Sequence, residues 1–264
     1  MRTDFETLQV QSPELHILVV TLNRPAASNA LNTQMGLDML ELFGGFYVDQ
    51  QDIRCIILTG AGSKAFCAGG DLKQRNDMTE ESWQNQHAVF EKMTLAMADC
   101  PIPIIAALNG AAFGGGLEMA LSADFIYAAR SARLAQTETR LGIMPGAGGT
   151  QNLPRACGVR RAKEIIFTGE PFTAEQGFEW GIVNRVCDDE MLMQEALATA
   201  RKIAGNAPIA VRQAKKSIGI ATQTDLKTGY SFEIEAYNRM VPTEDRLEGV
   251  RAFNEKRKPD FKGR

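Results

Sequence analysis

Residues 101–121 read PIPIIAALNGAAFGGGLEMAL. After Pro101 and Pro103, Ile104-Ile105-Ala106-Ala107-Leu108 is a continuous apolar run, the pattern of a strand buried on both faces. It stops at Asn109-Gly110, and the glycine triplet Gly114-Gly115-Gly116 then opens directly into Leu117 to Leu121, an apolar helix-like stretch. Amides at such a helix start point outward and favour negative charge on a ligand. A buried strand, a glycine-rich turn and a helix in that order predict an α/β architecture.

The same alternation extends in both directions. Upstream lie a helix-like segment from Glu80 to Asp99 and the strand Cys55-Ile56-Ile57-Leu58-Thr59, which ends in Gly60-Ala61-Gly62. Before these, His16 to Leu22 reads as a strand, Asn23-Arg24-Pro25 as a turn and Thr33 to Phe46 as a helix. Downstream, Phe125-Ile126-Tyr127-Ala128 reads as a third strand of the buried kind, and Thr173-Ala174-Glu175-Gln176 matches a capping box that starts a helix near residue 174. From Glu190 the pattern changes. Leu192, Ala196, Ala200 and Ile203 recur at helical spacing, and further helices are expected over 209–220, 225–240 and 243–257. The expected organisation is an α/β core over residues 1–188 that carries the active site, and an all-helical region over 189–264.

Bulk properties narrow the function. With 264 residues and a net charge of −3 the chain has no basic footprint of the kind nucleic-acid binders carry. The start, MRTDFETLQV, lacks the features of a secretory or transit segment, and no apolar stretch approaches the ~18 residues of a membrane span. The expectation is a cytoplasmic protein without a membrane or nucleic-acid partner. The five cysteines, Cys55, Cys67, Cys100, Cys157 and Cys187, are odd in number and contain no CxxC pair, which suits reduced thiols. Only two histidines are present: His16 in an apolar strand-like run and His87 in a helix-like run. Acid–base chemistry therefore falls to carboxylates, and no metal site is expected.

Glycine-rich loops recur, but familiar assignments fail on spacing. Gly146-Ala147-Gly148-Gly149 lacks the third glycine of a dinucleotide fingerprint, Gly60-Ala61-Gly62-Ser63-Lys64 is not a P-loop, and no G-x-S-x-G elbow occurs. One glutamate stands out: Glu118, between Leu117 and Met119, is not placed as a solvated surface charge would be.

Taken in order, Asn23-Arg24-Pro25, Asn29-Ala30-Leu31, Phe66-Cys67-Ala68-Gly69-Gly70-Asp71-Leu72, the 109–118 loop, Pro145-Gly146-Ala147-Gly148-Gly149-Thr150-Gln151, Leu153-Pro154-Arg155 and Asp245-Arg246-Leu247-Glu248-Gly249 carry a resemblance. The chain resembles the enoyl-CoA hydratase/isomerase, or crotonase, superfamily over nearly its whole length. That resemblance implies a spiral of β-β-α repeats followed by helices that form trimers or dimers of trimers. It implies an acyl-CoA substrate and no cofactor beyond the coenzyme A that is part of that substrate. It further implies an oxyanion hole from the backbone amides of Gly70 and Gly115, where family members often have alanine at the position of Gly70. Glu118 and Glu138 match the two glutamates of members that hydrate enoyl thioesters. Isomerases and thioester hydrolases, the alternative reactions, commonly have other residues at one of these places.

Coenzyme A contacts are implied at Ala26, Ala27, Ala68, Asp71, Leu72 and Lys256, although many members have lysine where this chain has Ala26. Glu138-Thr139-Arg140-Leu141, together with the 242–249 segment, is most similar to methylglutaconyl-CoA hydratases. Arg140 is therefore the expected contact for a distal acyl carboxylate. Some relatives of that subgroup bind RNA through a lysine-rich helix, but the matching stretch, 36–53, holds Asp38, Glu41, Asp49 and Asp52 and no lysine or arginine.

Overall fold

The computed structural model describes residues 2–264. In chain order the elements are β1 (Leu8–Glu14), β2 (Ile17–Leu22), α1 (Thr33–Val48), β3 (Cys55–Gly60), β4 (Ala65–Cys67), α2 (Leu72–Arg75) and α3 (Glu80–Ala98). They continue as β5 (Ile104–Leu108), β6 (Ala111–Phe113), α4 (Gly115–Leu121), β7 (Phe125–Ala129), β8 (Arg133–Ala135) and α5 (Gly149–Thr168). Then come β9 (Phe172–Thr173), α6 (Ala174–Glu179), β10 (Arg185–Cys187) and the helices α7 (Leu192–Ala204), α8 (Pro208–Ala221), α9 (Leu226–Met240) and α10 (Glu244–Asn254).

Six strands form one sheet in the order β1-β2-β3-β5-β7-β10, parallel except for the β1–β2 pair. Four short strands form a second sheet, β4-β6-β8-β9, parallel except for β8–β9. Three successive turns of the chain, β3-β4, β5-β6 and β7-β8, each lay one strand in the large sheet and the next in the small sheet before a helix, and β1-β2-α1 precedes them with both strands in the large sheet. This is the β-β-α spiral that the resemblance implies.

The apolar runs explain the large sheet. Every residue of β3 and β5 is buried, as parallel strands covered on both faces require. Burying each isoleucine or leucine of these strands contributes about 1.5–3 kcal/mol. Helices α1 and α3 pack closely because Gly36 lies against Phe90, where a Cβ would stand 2.8 Å from the ring. The capping box at Thr173 forms as expected, with the Thr173 and Gln176 side chains exchanging hydrogen bonds with each other's backbone amides.

Several expectations shift. His16 is not in a strand; it occupies the β1–β2 turn with φ 67°, where its Nδ1 lies 2.9 Å from the Asp52 carbonyl oxygen. The glycine-rich loops contain β4 and β6, and α5 follows the 145–149 loop with an interruption at Gly158, φ 77°. Helix α7 lies on the large sheet and buries Leu192, Ala196, Ala200 and Ala204. Helices α8 to α10 behave differently. They bury little, and Leu226, Tyr230, Tyr237, Val250 and Phe253 stand in the open. No described helix is long and apolar enough to cross a membrane.

Candidate active site

Strands β4, β6 and β8 lie side by side in the small sheet, paired through Cys67 with Ala112 and Phe113 with Ala135. Their carboxyl ends therefore release three loops at one place, the position where ligands bind in parallel sheets. The first loop carries Gly70, the second Gly115 and the third Glu138. Together they line a cavity of about 520 Å³, whose wall also includes Glu118, Leu31, Ala68, Leu72 and Arg75.

The Gly70 loop is held from outside. Leu31 N–H donates to the Gly69 carbonyl at 2.8 Å and Asp71 N–H to the Leu31 carbonyl at 3.0 Å. Asn29, fully buried at φ 53°, donates from Nδ2 to the Ala61 and Ala65 carbonyls at 3.0 and 2.9 Å, which fixes the entry to β4. Gly69 needs its freedom: φ is 95°, and a Cβ there would stand 2.8 Å from the Phe113 carbonyl oxygen. The two loops consequently meet. A Cβ on Gly115 would stand 4.0 Å from the Gly70 nitrogen, and among the described residues neither amide donates within the chain. Gly115 is the first residue of α4, so its N–H has no helical partner.

Glu118 sits one turn into α4 and is 3% exposed. Its Oε1 accepts from the amides of Ala147 and Gly149, both at 2.8 Å, so the glycine-rich 145–149 loop serves as a cradle for a carboxylate. Burial raises the Glu118 carboxyl above its ordinary range, while those amides work against the rise. Glu138, at the start of the 3₁₀ turn Glu138–Leu141, is 7% exposed, and both its oxygens are buried without a hydrogen bond from the protein. Burial, reinforced by the Glu118 charge, pushes its carboxyl up to about 7. Both carboxyls are shifted upward, but they differ in their surroundings: amide donors oppose the rise at Glu118, and Glu138 has no such donors.

Of the expected coenzyme A contacts, Ala68 and Leu72 line the cavity. Ala26 and Ala27 lie in a 3₁₀ turn. Asp71 pairs with Arg24 at 2.9 Å and caps α2 by accepting from Gln74 N–H. Lys256 follows α10, exposed, at φ 56°. Arg140 is not brought to the cavity. It lies against Gly169, 3.7 Å from Glu170, and is exposed. The cation on the cavity wall is Arg75, accompanied by Trp83 and His87. No local motif marks these residues, because α2 is a four-residue helix whose side chains meet α3 only after the intervening turn.

A parallel-strand cradle thus brings two free amides and two buried carboxyls to one cavity. The chain belongs to the enoyl-CoA hydratase/isomerase family, which matches it over residues 13–264. A crystal structure of an enoyl-CoA hydratase from Bacillus anthracis superposes with a TM-score of 0.96 at 44% identity, covering 98% of this chain and 100% of that one. The short-chain-enoyl-CoA hydratase of Clostridium acetobutylicum is 40% identical over 94% of this chain and 95% of its own length. The mitochondrial methylglutaconyl-CoA hydratase of Homo sapiens is 37% identical over 94% of this chain and 74% of its own length.

Proposed function

We propose that this protein adds water across the 2,3 double bond of 2-enoyl-CoA thioesters, reversibly giving 3-hydroxyacyl-CoA. The observation that carries the reading is that Glu118 and Glu138 line the same cavity as Gly70 and Gly115, whose amides are free. The amides take the thioester oxygen. Two fixed donors aimed at a developing enolate stabilise it most where charge builds up, about 3–4 kcal/mol for one donor.

The difference between the carboxyls assigns their roles. Glu118, whose Oε1 accepts from two amides that favour its anionic form, takes a proton from water as the water oxygen bonds to Cβ. The π electrons move onto the thioester as an enolate. Glu138, raised to about 7, gives its proton to Cα as the enolate collapses. Hydrogen and hydroxyl add to the same face of the double bond in this reading, with both carboxyls lining the one cavity. The proton that Glu118 gained then restores Glu138 through exchange with solvent, and the cycle closes.

The acyl group we infer is short and branched with a distal carboxylate, of which 3-methylglutaconyl is the example. The likeness to a methylglutaconyl-CoA hydratase supports it, as does a cationic side chain on the cavity wall. Self-association as a trimer, or a dimer of trimers, is part of the same reading and is supported by the apolar side chains that α9 and α10 leave exposed. Residues Ala26, Ala27 and Lys256 are assigned to the nucleotide end of coenzyme A on the resemblance alone.

The test is loss of the conjugated thioester absorbance of crotonyl-CoA and 3-methylglutaconyl-CoA, beside Glu118→Gln. A fall of roughly 10²–10⁴-fold in kcat is expected for the variant. If the native protein turns over neither thioester, the hydratase reading is wrong, and double-bond isomerisation or thioester hydrolysis takes its place.

A further inference from the structure

Arg75, the last residue of α2, is fixed more firmly than a pocket side chain needs to be. Its Nε donates to Gln86 Oε1 at 2.9 Å, and its guanidinium carbon lies 4.3 Å from the Trp83 ring centroid and 5.6 Å from that of Phe90. Gln86, itself 2% exposed, is held by donating from Nε2 to Thr33 Oγ1 at 2.8 Å and Gln74 Oε1 at 2.9 Å. One edge and one face of the guanidinium are therefore occupied. Among the described residues neither Nη makes a hydrogen bond or an ion pair.

The guanidinium also lies against Gly70. A Cβ built there would stand 3.2 Å from Nη1 and 3.3 Å from Cζ, tighter than ordinary packing, so a side chain at 70 shifts the guanidinium by a few tenths of an ångström. Alanine is common at this position in the family, and the oxyanion role needs only the amide. The glycine therefore has a second effect in this chain: it makes room for Arg75.

A half-buried cation is partly desolvated and gains from a partner. Glu118 is committed to the 145–149 amides and Glu138 is biased towards neutrality, so the pair attracts Arg75 without forming an ion pair with it. Leu72, Leu141, Ile143 and Met144 make the neighbouring wall apolar. A planar fork of free N–H groups in such a setting fits a carboxylate.

We propose that Gly70 and Arg75 form a coupled acyl-selectivity device: the absent Cβ lets the guanidinium rest against the oxyanion loop, and its free Nη groups receive a carboxylate at the far end of the acyl chain. The proposal rests on the acyl-CoA reading above and replaces Arg140 as the residue that selects an acidic acyl group.

The test compares binding of glutaryl-CoA and butyryl-CoA, saturated thioesters that differ by one carboxylate, to the full chain by calorimetry. The proteins are the native one, Arg75→Gln, Arg75→Lys, Gly70→Ala and the Gly70→Ala/Arg75→Gln double variant, each checked for fold by circular dichroism. The native protein prefers glutaryl-CoA, and Arg75→Gln lowers that preference by at least about tenfold. Arg75→Lys keeps part of it. Gly70→Ala lowers it in the native background and not in the Arg75→Gln background, the non-additivity expected of touching residues. Equal weakening of both ligands by Arg75→Gln, or additive effects of the two substitutions, overturns the proposal. Hydration of glutaconyl-CoA and crotonyl-CoA, run in parallel, separates the two readings. An intact binding preference without hydration refutes only the hydratase reading. Hydration with a preference indifferent to residue 75 refutes only the selectivity device.

Discussion

Replacing Gly149 by alanine tests the placement of Glu118 without touching the glutamate. A Cβ on Gly149 would stand 2.5 Å from Gln136 Oε1 and 2.9 Å from both Glu118 Oε1 and the Pro145 Cβ. Gln136 is fully buried, with its Nε2 donating to the Gly114 carbonyl at 3.1 Å, so it has little room to retreat. The crowding is relieved by moving the 145–149 loop away from Glu118, which breaks one or both of its 2.8 Å amide contacts. A hydrogen bond to a charged group is worth about 1.5–3 kcal/mol. Losing one from the base therefore lowers kcat/KM for crotonyl-CoA hydration by roughly 10- to 100-fold. Overpacking itself costs about 1–3 kcal/mol of stability, so a thermal melt by circular dichroism accompanies the kinetics to establish that the variant is folded. A folded Gly149→Ala protein with native kcat/KM would refute the argument that the loop amides set the position and charge state of Glu118.

Glu138 makes two pH predictions. Hydration kcat/KM falls as pH rises through about 7, because the acid loses the proton it delivers. A carboxyl whose folded pKa lies above its unfolded value contributes stability that is full below the unfolded value and is lost as pH rises through the folded one. Glu138→Gln therefore gains in Tm relative to the native protein between pH 5 and pH 8, and a constant difference over that range contradicts the raised value. Gly116→Ala places a Cβ against the Cys67 carbonyl, backbone that cannot yield without separating α4 from β4. It should cost stability at or above the upper end of about 1–3 kcal/mol, read from urea unfolding. Asp245, 3% exposed, accepts from the amides of Lys262 and Gly263 at 2.6 and 2.8 Å. Asp245→Ala should speed amide hydrogen exchange over 260–264 while leaving exchange in β3 and β5 unchanged.

The parts of the fold that were legible in the sequence are those where one physical signal dominates. Ile104 to Leu108 is apolar without interruption because both faces of β5 are covered, and the Thr173 box forms because both of its hydrogen bonds are local. Strands β4, β6 and β8 are three residues each, too short for an alternating pattern, and β4 and β6 hide inside loops read for their glycines. His16 resembles a strand residue by its neighbours, yet the turn imposes a left-handed backbone that composition does not reveal. Glu118 could be singled out by its apolar neighbours. Its relation to Gly70, Gly115 and Glu138 rested on the family resemblance, since the pairing that unites them lies across strands. Arg75 had no signal at all: its partners Gln86, Trp83 and Gly70 come together only through the α2–α3 packing. Arg140 follows from the likeness of the 138–141 stretch to methylglutaconyl-CoA hydratases, and the 3₁₀ turn places it against Gly169, away from the cavity lining.

The small sheet has a consequence for how such a chain changes over time. On the function proposed above, the thioester is held by main-chain amides, which no side-chain substitution removes, so that half of the apparatus is inherited wherever β4 and β6 keep their pairing. The proton-handling half depends on two side chains, one on a helix and one on the loop after β8, each replaceable without disturbing a strand. Reaction type can therefore drift at positions 118 and 138, and acyl preference at position 75, while the capacity to hold an acyl thioester persists through the lineage.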